Sequence, residues 1–200
     1  MWDYNVQLFQ FLNELTRFEI IEVLAPKTAD LPIFFLPLFL TSLWLYYNFS
    51  KKYKNEEKKH LRENLMFIFY SCVIVIIFST IIKSFIDIDR PETAISEAGK
   101  LLLYKIPESS FPSDHASVSF AFLTALLLSN YKKVFWAFLP FVILMNMSRI
   151  ISGVHWPTDV IGGLMIGILA GYIGINILPK IKFVKNINSF IMKVLSYIKL

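Results

Sequence analysis

Residues 65–82 read LMFIFYSCVIVIIFSTII, eighteen positions without a charge. Wound as a helix at about 1.5 Å per residue, such a run crosses most of the ~30 Å hydrocarbon layer of a bilayer. No water is available there to satisfy backbone N–H and C=O groups, so the run must bond within itself, which a helix does. Four further apolar stretches extend the pattern: 31–49, 115–129, 134–151 and 159–178. The third and fourth of the five spans are short and are separated only by Asn130, Tyr131, Lys132 and Lys133, as in a tight helical hairpin. The expected fold class is therefore all-α, a polytopic transmembrane helical bundle of five spans. Composition agrees: 56% of the 200 residues are hydrophobic, nineteen are Phe, and the mean hydropathy is +0.55.

The ends differ from the middle. Leu8, Phe11, Leu12, Leu15 and Phe18 recur at helical spacing with Asp3, Glu14, Glu19 and Glu22 between them, before Pro26. Residues 1–28 thus read as an amphipathic segment on the outer membrane surface or on the bundle, with a sixth span as the alternative. The opening MWDYNVQLFQ lacks the basic start of a cleavable leader. Residues 184–200 carry Ile187, Phe190, Ile191, Val194, Leu195 and Ile198 on one face with Lys185, Lys193 and Lys199 among them, the pattern of a basic interfacial helix or else a frayed tail. With no repeat and no low-complexity linker, residues 1–200 read as one membrane-embedded domain with a motif core over 83–159. Cys72 stands alone, so no intramolecular disulfide is available.

Lys and Arg set the orientation. Thirteen of the twenty basic residues, from Lys51 to Arg62, at Lys132 and Lys133, and from Lys180 to Lys199, fall on one side of these spans. The positive-inside rule makes that side cytoplasmic, and the net charge of +5 then reflects topology, with no nucleic-acid partner required. His60 lies on that side and takes no role.

On the other side, three polar clusters meet the span ends. They are KSFIDIDRP with Lys83, Arg90 and Pro91; FPSDH with Ser113, Asp114 and His115; and SRIISGVHWPTD with Ser148, Arg149, His155 and Asp159. Ionisable residues at membrane depth are costly and point to function. Lys83, Arg90 and Arg149 supply three cations for phosphate oxygens, the arginines with forked donors. Ser113 stands where a helix begins, and its start presents unbonded N–H groups to an anion. His155 and Asp159 are four apart around Pro157, so a carboxylate can hold one imidazole nitrogen and leave the other as nucleophile. His115, from another helix, is placed to protonate a leaving oxygen. A lone H-x3-D pair can be purely structural, Ser113 a simple N-cap, and Lys83 or Arg90 a snorkelling anchor; the ordered set at one face points to phosphoryl transfer through a phosphohistidine.

In this order the residues resemble the type 2 phosphatidic acid phosphatase superfamily. Lys83, Arg90 and Pro91 match K-x6-R-P, Pro112, Ser113 and His115 match P-S-G-H apart from its third position, and Ser148, Arg149, His155 and Asp159 match S-R-x5-H-x3-D. The resemblance implies a helical, metal-independent lipid phosphatase without cofactor. By motif it makes His155 the nucleophile, Asp159 its orienting partner and His115 the general acid. It assigns phosphate binding to Lys83, Arg90, Ser113, Arg149 and the backbone at Asp114. Asp114 replaces the usual Gly, and a carboxylate beside a phosphate must point away, bond a cation or be protonated. PSDH is similar to the bacterial undecaprenyl-diphosphate phosphatase branch, which implies a site on the periplasmic or exterior face of the bacterial cytoplasmic membrane. The lipid phosphate substrate and the bilayer are the expected partners, with no obligate protein partner. Alternatives are a lipid A 1-phosphatase, a phosphatidylglycerol-phosphate or phosphatidate phosphatase, a lipid-to-lipid phosphotransferase, and a non-catalytic binder.

Overall fold

The computed structural model describes residues 2–95, 99–104 and 108–197, so expectations resting on Ile198 and Lys199 lie outside the described residues. Among the described residues eight α-helices are formed: α1 Trp2–Asn13, α2 Glu19–Phe49, α3 Asn55–Phe85, α4 Pro91–Ala94, α5 Asp114–Leu128, α6 Lys132–Ile151, α7 Pro157–Tyr172 and α8 Lys182–Tyr197. Beyond Tyr172 the α7 path continues through a π turn, Ile173–Ile177, and a 3-10 turn, Leu178–Lys180. Helices α2, α3, α6 and the α7 path to Lys180 are each long and apolar enough to cross a membrane, while α5 is apolar but only 15 residues long.

The first crossing helix differs from expectation. Instead of starting near residue 31 after a break at Pro26, α2 runs unbroken from Glu19 through Pro26, Pro32 and Pro37, and the break falls earlier, in the 3-10 turn Glu14–Arg17. Each proline removes one N–H from the ladder, a loss membrane helices tolerate when neighbouring groups take up the freed carbonyls. Near Pro26, the Thr28 hydroxyl lies 3.0 Å from Leu24 O and 3.1 Å from Ala25 O. The 31 residues span about 46 Å, so the end of α2 reaches past the expected span and carries Thr28 and Asp30 into the polar cluster.

The N-terminal amphipathic segment packs on the bundle. Phe9 is fully buried, its ring centroid 5.1 Å from that of Trp156. The Asn13 amide donates to Lys100 O at 2.8 Å and Ile151 O at 2.7 Å, and Asn5 Oδ1 accepts the Thr158 N–H at 3.1 Å. At the far end of the chain, α8 forms as the amphipathic pattern requires, burying Asn188 and Met192, with Asn188 bonded to the Tyr70 hydroxyl at 3.2 Å.

Helix α5 is the centre of the bundle and packs on α2, α3, α6 and α7. Its partnership with α7 is the tightest, because Gly163, Gly167 and Gly171 repeat every fourth residue on the facing side of α7 and let the backbones touch. Lys83, Ser113, Arg149 and His155 therefore arrive at one end of the bundle, from the C-termini of α3 and α6 and the N-termini of α5 and α7. The basic connections, where the Arg62 guanidinium donates to Asn48 Oδ1 at 2.8 Å, lie at the opposite end.

Candidate active site

Pro157 opens α7 with a ring already set to helical φ, and Asp159, at the third position, turns back so that Oδ2 accepts the Trp156 N–H at 2.7 Å. The same oxygen accepts the Ser110 hydroxyl and faces His155 Nδ1 at 3.4 Å. Asp159 is wholly enclosed and His155 is 2% exposed. Burial holds the His155 imidazole well below the ordinary histidine range, and the charges of Arg149, Arg90 and Lys83 push the same way. The ring is therefore neutral at physiological pH, with Nδ1 turned to a carboxylate and Nε2 left for the site.

The cations have distinct partners. Arg90 is buried between Glu108 O, 3.1 Å from Nε, and Val154 O, 2.8 Å from Nη1. Lys83 and Ser79, one turn apart on α3, both bond the Asp114 carboxylate. Asp114 thus takes two of the options its charge required: it bonds a cation and turns to α3. Arg149, 3% exposed, gives Nη1 to Asp30, and its Nε has no hydrogen-bond partner among the described residues. Ser113 is fully buried; its N–H reaches Asp159 O at 3.1 Å, tying α5 to α7, and its Oγ has no partner among the described residues. Leaving a buried donor unmade is costly, so a guanidinium N–H and a hydroxyl waiting without partners mark the place of an oxygen-rich ligand. His115, on the first turn of α5, points Nε2 at Asp30 Oδ1 over 3.5 Å.

All eight residues expected from the sequence thus come to one end of the bundle. Three more were missed. Ser110 supports Asp159, Ser79 supports Asp114, and Asp30 joins Arg149 to His115. Asp30 carried a signal, an acid at the edge of the apolar run LPIFFLPLFL; the serines carried none. Among the described residues no group of three or more His, Cys, Asp or Glu side chains is arranged to hold a metal ion.

The site is a buried His–Asp pair with two polar groups unpartnered among the described residues, at one end of a bundle whose helices are long and apolar enough to cross a membrane. Residues 64–183 match the PAP2 superfamily, and the chain belongs to that family. Over 193 residues it is 28% identical to the bacitracin transport permease protein BcrC of Bacillus licheniformis, covering 96% of this chain and 89% of that one. It is 24% identical over 170 residues to the undecaprenyl-diphosphatase BcrC of Bacillus subtilis, covering 84% and 81%. In fold it is similar to the crystal structure of Aquifex aeolicus LpxE, with a TM-score of 0.66 and 24% identity over 86% of this chain and 94% of that one. The chain is a multi-pass membrane protein and a lipid phosphatase.

Proposed function

We propose that the chain hydrolyses undecaprenyl diphosphate to undecaprenyl phosphate and inorganic phosphate at the outer face of a bacterial cytoplasmic membrane. The observation that carries the chemistry is the neutral, buried His155, held at Nδ1 by Asp159 at the end of the bundle where Arg149 Nε and Ser113 Oγ have no partner among the described residues. The name of the Bacillus subtilis relative supports the substrate, and the basic connections at the far end of the bundle support the facing. In the first step His155 Nε2 attacks the terminal phosphorus, the bridging P–O bond breaks, and the leaving oxygen takes a proton from His115. Arg149, Ser113 and the N–H groups opening α5 stabilise the charge on the transferring group, with Lys83, Arg90 and the backbone at Asp114 adding to the field. In the second step water gives a proton to His115 and attacks phosphorus, releasing phosphate and restoring His155.

Purified protein is expected to release phosphate from undecaprenyl diphosphate in EDTA, faster than from phosphatidylglycerol phosphate, phosphatidate or lipid A 1-phosphate. A different ranking would reassign the substrate, radiolabel moving to a second lipid would make the enzyme a phosphotransferase, and no release from any of them would remove the catalytic reading.

Asp114 tunes this preference, because it neutralises Lys83 at the mouth of the site. Asp114→Gly, which frees that cation, is expected to keep turnover while moving the diphosphate-to-monophosphate rate ratio several-fold toward monophosphates. An unchanged ratio would show that the residue is not a selector.

A further inference from the structure

Among the described carboxylates near these side chains, Asp159 has evident work on His155 and Asp114 on Lys83, and Asp30 stands as a third against Arg149. The third, Asp30, belongs to a helix outside the matched family region, which begins at residue 64. Its Oδ1 bonds Arg149 Nη1 and faces His115 Nε2 at 3.5 Å. A second contact fixes α2 at the same level, where Thr28 Oγ1 and Ser148 Oγ lie 2.7 Å apart. An aspartate inside a membrane-crossing helix, bonded to a cation proposed for phosphate, works against phosphate binding by repulsion, so its place calls for a compensating role.

The apolar surroundings indicate that role. Directly below the Asp30–His115–Arg149 cluster an apolar groove of about 470 Å³ runs between α2, α5 and α6. Ser119, one turn below His115, Met145, one turn below Arg149, and Pro32, two residues beyond Asp30, all line it. Helices α2, α5 and α6 thus carry both the groove and the Asp30–His115–Arg149 cluster, and a lipid chain lying in the groove would bring its leaving oxygen to His115.

We infer that Asp30 is the positioning residue of the leaving-group acid: it orients the His115 imidazolium toward the departing lipid oxygen, as Asp159 orients His155 toward phosphorus. This rests on the reading of His115 as the acid. An imidazolium has two N–H donors. With Nε2–H aimed at Asp30, the Nδ1 proton goes to the leaving oxygen, which keeps the electron pair of the broken P–O bond.

Leaving-group chemistry tests this. A lipid phosphomonoester such as phosphatidate expels a strongly basic alkoxide and needs the proton, whereas p-nitrophenyl phosphate expels a stable phenolate and does not. With the full chain in detergent, Asp30→Asn is expected to lower kcat for phosphatidate by about 10²-fold, the order of a lost general acid, and for p-nitrophenyl phosphate by no more than about 3-fold. His115→Ala is expected to show the same split, and Asp30→Glu to regain part of the phosphatidate rate. Equal losses on both substrates in Asp30→Asn, or no loss on either, would overturn the inference. If Asp30→Asn does not fold, Asp30→Glu decides: a folded variant with a uniform loss counts against it. If His115→Ala shows no split while His155→Ala is inactive, His115 is not the acid and the role of Asp30 falls with it. If undecaprenyl diphosphate alone is not cleaved, only the substrate assignment above is lost.

Discussion

Replacing His155 by Ala is expected to lower kcat by at least about 10³-fold on every phosphate substrate while leaving the fold intact. The imidazole is the buried neutral base facing the free donors, and no second group can take its place, because His115 lies against Asp30 rather than against Asp159. The fold survives because Asp159 keeps the Ser110 hydroxyl and the Trp156 N–H, the contacts that start α7, when the ring is gone. Loss of the ring also removes an imidazole that burial, and after it the surrounding cations, hold deprotonated, so the change removes no charge. Melting in detergent is expected to change little, and binding of inorganic phosphate to persist. In the parent protein, labelled substrate quenched in alkali is expected to leave label on the chain, since phosphohistidine survives base; in the variant the label is absent. A variant that turns over at the parent rate, or one that still traps label, would remove His155 from the reaction.

Much of this site was legible before any coordinates, and the reasons are physical. A charge at membrane depth must be compensated, so Lys83, Arg90, Arg149, His155 and Asp159 stand out against apolar neighbours, and helical spacing pairs the last two. The class of fold followed from the same contrast. What escaped depends on long-range packing. Ser110 reaches Asp159 across 49 positions and Asp30 reaches Arg149 across 119, and no local periodicity encodes either approach. The path of α2 was misplaced because Pro26 is a helix breaker in water, while α2 as a membrane-crossing helix continues through Pro26, Pro32 and Pro37. That single displacement is what hid Asp30: a span beginning at residue 31 leaves it in a loop, and a helix beginning at Glu19 delivers it to the site.

Gly163→Val is expected to disable the enzyme without touching a catalytic group. A Cβ at Gly163 would lie 2.6 Å from Ala116 Cβ, 2.8 Å from Ser113 O and 3.0 Å from Ser117 N. Two of those atoms are backbone and the third is fixed to it, so no side chain can swing aside; the helices themselves must separate. Helix α5 carries Ser113 and His115, and α7 carries Asp159, joined by the Ser113 N–H to Asp159 O bond of 3.1 Å. Separation therefore stretches the bond that sets Asp159, the partner of His155, against the helix that carries His115. Overpacking of this kind costs about 1–3 kcal/mol, and a shift of roughly 1 Å in catalytic geometry costs on the order of 10²-fold in rate. The expected result is a lower melting temperature together with about a 10²-fold loss in kcat/KM. Met165, two residues on and 66% exposed on the outer side of α7, supplies the control: Met165→Val changes neither quantity appreciably. Native melting and full activity in Gly163→Val would mean that α5 and α7 do not need this approach, and that the geometry of the site is set elsewhere.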